Sequence, residues 1–284
     1  MEVARCSIFH CVATLSLILL VLNLLSICIY CIPIISVRHL RTTNNLITVN
    51  VCLTMTLCIL YWAGYFSYEL FFKCNSNYKW TVSITYIRTT VNCQAAFSLC
   101  VLSIYRFCTI VYGHKRWFNK RRSMILSVIS QWIMCFLLPV PILYLKVKPS
   151  SQSIFPKWIW IYNLCLIVIL PTTFVAILDG LIFSHAHRSS NRVQSNILTC
   201  HSRLKKRNNH LLKRMFFMLI VSISGWAPIY IVAYLASIDI LTLPLVYEVL
   251  YLLSILSISI VIGSLYLYNH SLRRFLKHRY RISF

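Results

Sequence analysis

Few side chains in this chain of 284 residues are of a type that makes or breaks bonds, and their spacing argues against it. The five acids, Glu2, Glu69, Asp179, Asp239 and Glu248, fall on different segments, with no two at the i, i+3 or i+4 separation that pairs carboxylates on a helix. Of the nine His, all but His10 lie toward one predicted side of the apolar segments. No Ser/His pair, carboxylate pair or His/Asp metal set is placed within an apolar segment, so no enzyme, metal or cofactor is expected. What remains is recognition chemistry. Arg88 stands eighteen residues before Arg106, about five helical turns along one face, with Asn92 one turn below it. An Arg held at that depth needs a watery cavity or an anionic partner. Trp226 precedes Pro228 by two residues, pairing a bulky ring with a residue that removes an i to i−4 hydrogen bond.

Seven long apolar runs must position these groups. They lie near residues 10–37, 46–72, 83–112, 124–144, 158–183, 213–236 and 244–268, each about the ~20 residues that a helix needs to cross a bilayer core. A chain 59% hydrophobic and 12% charged has too little polar surface to fold alone in water. The expected fold is all-α: one seven-helix membrane domain over residues 1–284. The first run, from Ile8 to Ile32, is too long for a signal peptide and is followed by Arg38 and Arg41, so it counts as a span. Most of the 28 basic residues crowd every second gap: Arg38 and Arg41, then Lys115 to Arg122, Arg188 to Arg214, and Arg273 to Arg281. The positive-inside rule puts those gaps in the cytoplasm and the N-terminus outside, an arrangement that needs an odd number of crossings.

The net charge of +23 is dispersed over loops that frame apolar spans, with no soluble domain to present it. It reads as topology signal and as contact with anionic inner-leaflet lipids, not as a nucleic-acid surface. Ten of the 13 Cys fall inside the spans, where they are small packing residues. The one glycosylation sequon, Asn269-His270-Ser271, is predicted cytoplasmic and so unmodified. After the last span, residues 271–281 place Leu272, Phe275, Leu276 and Tyr280 on one face and Arg273, Arg274, Lys277 and Arg281 largely on the other, the pattern of an amphipathic interfacial helix. Residues 184–210, rich in Ser, Asn and Arg, read as a flexible loop.

Several positions resemble the rhodopsin-like (class A) G-protein-coupled receptors. Tyr105-Arg106-Phe107 at the inner end of the third span is similar to that family's Asp-Arg-Tyr region. Asn23, Asn50, Trp132 and Pro171 fall in the expected spans, and Gly225-Trp226-Ala227-Pro228 resembles the Cys-Trp-x-Pro switch of the sixth. There are departures. Met55 stands where the family has its sodium-binding Asp, Tyr105 replaces the Asp before the central Arg, and the seventh span reads Val261-Ile262-Gly263-Ser264-Leu265 in place of Asn-Pro-x-x-Tyr.

The resemblance implies a receptor that binds an extracellular ligand and signals to a heterotrimeric G protein by outward movement of the sixth helix. It also implies a ligand pocket at the height of Arg88, Asn92, Trp226, Tyr230, Glu248 and Tyr251, with an inward Arg88 favouring an anion and Glu248 its candidate partner. Tyr105, Arg106, Asp179, Trp226 and Pro228 are the expected switch and coupling residues. Asp179, the only acid on the cytoplasmic half of a span, is expected to pair with Arg106. The rival readings are a transporter and a non-signalling membrane scaffold.

Overall fold

The computed structural model describes residues 2–71, 78–111, 121–144, 158–192, 198–238, 244–269 and 272–276. Side chains are described for 10–68, 70, 71, 82–109, 111, 122–144, 158–185, 216–238, 246, 247, 249–267, 269 and 272–276. Every regular element among them is helical. The helices are α1 (Glu2–Ser36), α2 (Thr43–Phe71), α3 (Tyr78–Val111) and α4 (Arg121–Leu137, then a 3₁₀ stretch Val140–Tyr144). α5 runs in three pieces, Trp158–Leu164, a π-helical turn Cys165–Ile169 and Leu170–Arg192. α6 is Leu198–Ser237 and α7 is Pro244–Tyr268.

Seven of the described segments are long and apolar enough to cross a membrane, from His10–Ser36 to Val249–Leu267, which is the architecture of a multi-pass membrane protein. The burial pattern agrees with a lipid surround. On α1, Ala13, Ser16, Leu20, Asn23, Ile27, Tyr30 and Ile34 form an i, i+3, i+4 stripe turned into the bundle, while Leu15, Ile18, Leu22, Leu25, Ile29 and Ile32 stay roughly half exposed. Polar residues go inward instead: Asn50, Asn92, Gln94, Gln131, Asn163, Arg106 and Asp179 are all buried.

The helices close a ring. α1 packs on α2 and α7, α2 on α3, α6 on α7, and the central α3 touches both α4 and α5. Hydrogen bonds set the register, since a polar group without a partner at membrane depth is costly. Asn50 Nδ2 donates to Gln131 Oε1 at 2.9 Å, Trp132 Nε1 donates to Asn50 Oδ1 at 3.1 Å, and Gln131 Nε2 donates to Gln94 Oε1 at 3.0 Å, joining α2, α3 and α4. Asn269 has a similar office at the other end of the chain. Its amide donates to Tyr30 and Asn45, and its Oδ1 accepts from the Leu272 N–H at 3.1 Å, so it caps the short helix 272–276.

Helix boundaries depart from expectation where local chemistry decides them. α2 begins at Thr43 because Thr42 caps it, the Asn45 N–H donating to Thr42 Oγ1. The π turn in α5 lies just before Pro171, whose ring removes one i to i−4 bond; the Leu170 N–H bonds back to the Cys165 carbonyl, five residues earlier. Residues 184–192 and 198–210 are helical where a loop is expected, and 193–197 lie outside the described residues. α5 continues to Arg192 and α6 starts at Leu198. No Gly or Pro lies between 184 and 210, and lengthening a formed helix needs no new nucleus. Of the expected interfacial helix 271–281, residues 272–276 are described; they are helical, with Leu272 and Leu276 buried and Arg273 and Arg274 exposed.

Candidate functional site

The predicted pocket residues Arg88, Asn92, Trp226, Tyr230 and Tyr251 meet in the half of the bundle away from the basic loops. α3 supplies Arg88 and Asn92 one turn apart on one face. Asn92 is buried and fully engaged. Its Nδ2 donates to the Tyr230 hydroxyl at 2.9 Å, and its Oδ1 accepts from Trp62 Nε1 at 3.4 Å and from Cys58 Sγ at 3.6 Å. One carboxamide thereby holds α2, α3 and α6 together.

Trp62 is the hub of an aromatic cluster. Its ring centroid lies 4.7 Å from Tyr251 on α7, 6.5 Å from Trp226 on α6, and 5.6 Å and 6.0 Å from Tyr65 and Phe66 on its own helix. Above this layer, Arg88 is half-buried and turned inward, its guanidinium carbon 5.8 Å from the centroid of the Trp160 ring on α5. Tyr61, Tyr65, Tyr230 and Tyr251 are all near enough to act on it electrostatically. The register of α5 follows from Thr89, next along α3, whose hydroxyl donates to Asn163 Oδ1 at 3.2 Å and so brings Trp160, one turn up, over Arg88. The side chain of Glu248, the expected partner of Arg88, lies outside the described residues.

Sequence reasoning missed Cys58, Tyr61, Trp62, Tyr65 and Trp160. The signal was present in α2, where Trp62 and Tyr65 or Phe66 follow the i, i+3, i+4 spacing, but nothing in the chain alone says which face of α2 meets α3. Below the aromatic layer a cavity of about 20 Å³, room for about one water, is lined by Met55, Asn92 and Trp226 among others. Met55 brings no charge to it.

The coupling residues sit at the opposite end. Arg106 and Asp179 are 8% and 5% exposed, on the facing helices α3 and α5. Arg106 acts electrostatically on Asp179, yet no hydrogen bond joins them, and neither Asp179 oxygen has a hydrogen-bond partner among the described residues. The expected pair is therefore adjacent but not closed. Tyr105 is half-buried against the core. Pro228 lies inside α6, one turn from Gly225, whose carbonyl accepts from Ser254 Oγ of α7 at 2.7 Å. Gly225 permits that approach, since a Cβ there would meet Ser257 Oγ at 2.3 Å. Among the described residues no cluster of His, Cys, Asp or Glu is grouped to hold a metal ion.

No protein-family profile matches the chain, and no curated protein matches it in sequence.

Proposed function

We propose that this protein is a receptor of the rhodopsin-like kind, set in the plasma membrane with its N-terminus outside and its C-terminus in the cytoplasm. It takes an anionic extracellular ligand against Arg88 and signals to a heterotrimeric G protein through the inner ends of α3, α5 and α6. One observation carries this reading: Tyr230 is near enough to Arg88 to act on it electrostatically, and contacts run from Tyr230 through Asn92 and Trp62 to Trp226, two residues from the proline inside α6. A ligand that draws on Arg88 disturbs the tyrosines around it, and the Asn92–Tyr230 bond passes that change to α6. Pro228, lacking an N–H, is where α6 bends most easily. Its basic end then swings outward, Asp179 and Arg106 close into an ion pair, and the exposed arginines hold the inner surface against anionic lipids.

A screen of anionic ligands, read through nucleotide exchange on a promiscuous G protein, tests the proposal. Activation that is lost in Arg88→Gln is the expected result. Failure of every ligand and of α6-loosening substitutions to drive exchange would favour a scaffold, and solute flux into vesicles holding the protein would favour a transporter.

A further inference from the structure

A second site lies between the aromatic layer and the Arg106 end, where α3, α5 and α6 face one another. A cavity of about 30 Å³ is bounded there by Leu99 and Ser103 of α3, Ile167 and Thr172 of α5, and Met218 and Ser222 of α6, among others. It adjoins the cavity of about 20 Å³ beside Asn92 and Trp226, since Ala96, Leu99, Ile167, Thr172 and Ser222 line both. A water needs about 10–15 Å³ of such space, so the two together have room for about three.

Room alone does not hold water inside a bundle set in lipid, because a purely apolar void stays dry. The polar groups on the walls decide the matter. The Ser222 hydroxyl has no hydrogen-bond partner among the described residues, whereas the nearby Ser224 hydroxyl donates back to the Val221 carbonyl at 3.0 Å. Across the cavity, Ile167 stands four residues before Pro171, so its carbonyl receives no bond from residue 171, which has no N–H. The π turn Cys165–Ile169 marks that interruption of the helix. Ser103 donates to the Leu99 carbonyl at 3.0 Å and Thr172 to the Val168 carbonyl at 2.7 Å, which leaves each hydroxyl oxygen able to accept. A hydroxyl on α6 that can donate, facing acceptors on α3 and α5, supplies the roughly two to four partners that a buried water takes.

We infer that the two cavities hold a short row of water molecules that bridge Ser222 to the Ile167 carbonyl and to the hydroxyls of Ser103 and Thr172. At this level α6 is joined to α3 and α5 by water as well as by side chains. A bond through water is nearly as favourable as a direct one, and it re-forms when the helices shift, which suits the segment between Trp226 and Arg106. The site does not depend on the receptor reading; a transporter or a scaffold would carry it equally.

The test uses the full chain in phosphatidylcholine nanodiscs and millisecond X-ray radiolysis, which turns a bound water into a hydroxyl radical that oxidises reactive side chains beside it. Met218 and Met55, 3% and 4% exposed, line the two cavities and are the reporters. Tyr30 and Phe66 are buried as deeply, react readily with the same radical and are not among the residues lining either cavity, so they are the controls. Both methionines should gain an oxygen several times faster than either control. Ser222→Thr keeps the hydroxyl and should keep the labelling. Ser222→Val has the shape of that threonine without the hydroxyl, so Met218 should lose most of its labelling and the thermal midpoint should fall below that of Ser222→Thr. Controls that stay unlabelled show that the valine variant is folded. Methionines oxidised no faster than the controls in the unaltered chain, or Met218 labelling that survives Ser222→Val, overturns the proposal. So does a valine variant more stable than the threonine one, because a dry wall favours a methyl over a hydroxyl.

Discussion

Asn92 on α3 donates a hydrogen bond to the Tyr230 hydroxyl on α6 at 2.9 Å, and the same carboxamide accepts from Trp62 on α2. Three helices thus share one polar side chain in a surround of aromatic rings. Tyr230→Phe removes the acceptor while leaving shape unchanged, and Asn92→Leu removes the donor. Tyr230→Phe should lower the stability of the purified protein by about 1 kcal/mol, near the usual worth of one such bond, and Asn92→Leu by more, since it also removes the acceptor of the Trp62 and Cys58 bonds. The double variant should cost less than the sum, because the second change removes a group already orphaned. Thermal unfolding of the four proteins checks this, and strict additivity would mean the bond is not a coupling element.

Gly225→Ala places a methyl 2.3 Å from Ser257 Oγ and 2.4 Å from its Cβ. Relief requires α6 and α7 to part, which also stretches the Ser254 bond to the Gly225 carbonyl. The expected cost is about 1–3 kcal/mol, the range for overpacking. Pairing it with Ser257→Gly should recover most of the loss in a thermal-shift assay. No recovery would mean that the close approach of α6 to α7 is not what demands the glycine.

Arg88→Glu reverses the charge inside a ring of tyrosines. Once an anionic ligand is found, this variant should abolish its action and Arg88→Gln should weaken it at least tenfold, about 1.4 kcal/mol. Unchanged affinity in Arg88→Gln would place the ligand elsewhere.

Asp179→Asn removes a buried carboxylate that has no hydrogen bond among the described residues. Relief of the carboxylate's desolvation is opposed by the lost attraction to the buried Arg106, so the purified, unstimulated protein should change in stability by no more than about 1 kcal/mol. If the acid closes on Arg106 during activation, the same variant should lower stimulated signalling, and combining it with Arg106→Gln should be non-additive. Independent effects of the two substitutions on signalling, at normal surface expression, would leave Asp179 without a role in coupling.

An epitope tag at the N-terminus should be reached by antibody on intact cells, and one after Phe284 only after permeabilisation. Labelling of both from one side would break the orientation that the basic loops imply.

Hydropathy and charge were enough to define a seven-helix membrane bundle, because a helix in lipid must satisfy its own backbone and needs a minimum apolar length, both properties of the local chain. Spacing along α3 likewise put Arg88 and Asn92 on one face, and Pro228 beside Trp226 needed no partner to be noticed. The rest depended on how helices are rotated against one another. Trp62 proved central only because α2 turns it toward Asn92, and Asn269, which reads as an idle sequon, caps the terminal turn while holding α1 and α2. Residues 184–192 and 198–210 look like a loop by composition, yet they extend two helices already formed. Likewise only the packing shows that Asp179 and Arg106 lie close without a hydrogen bond, and that Ser222 borders two adjoining cavities. Such contacts arise between segments far apart in the chain, where residue type says what can interact and only the tertiary arrangement decides what does.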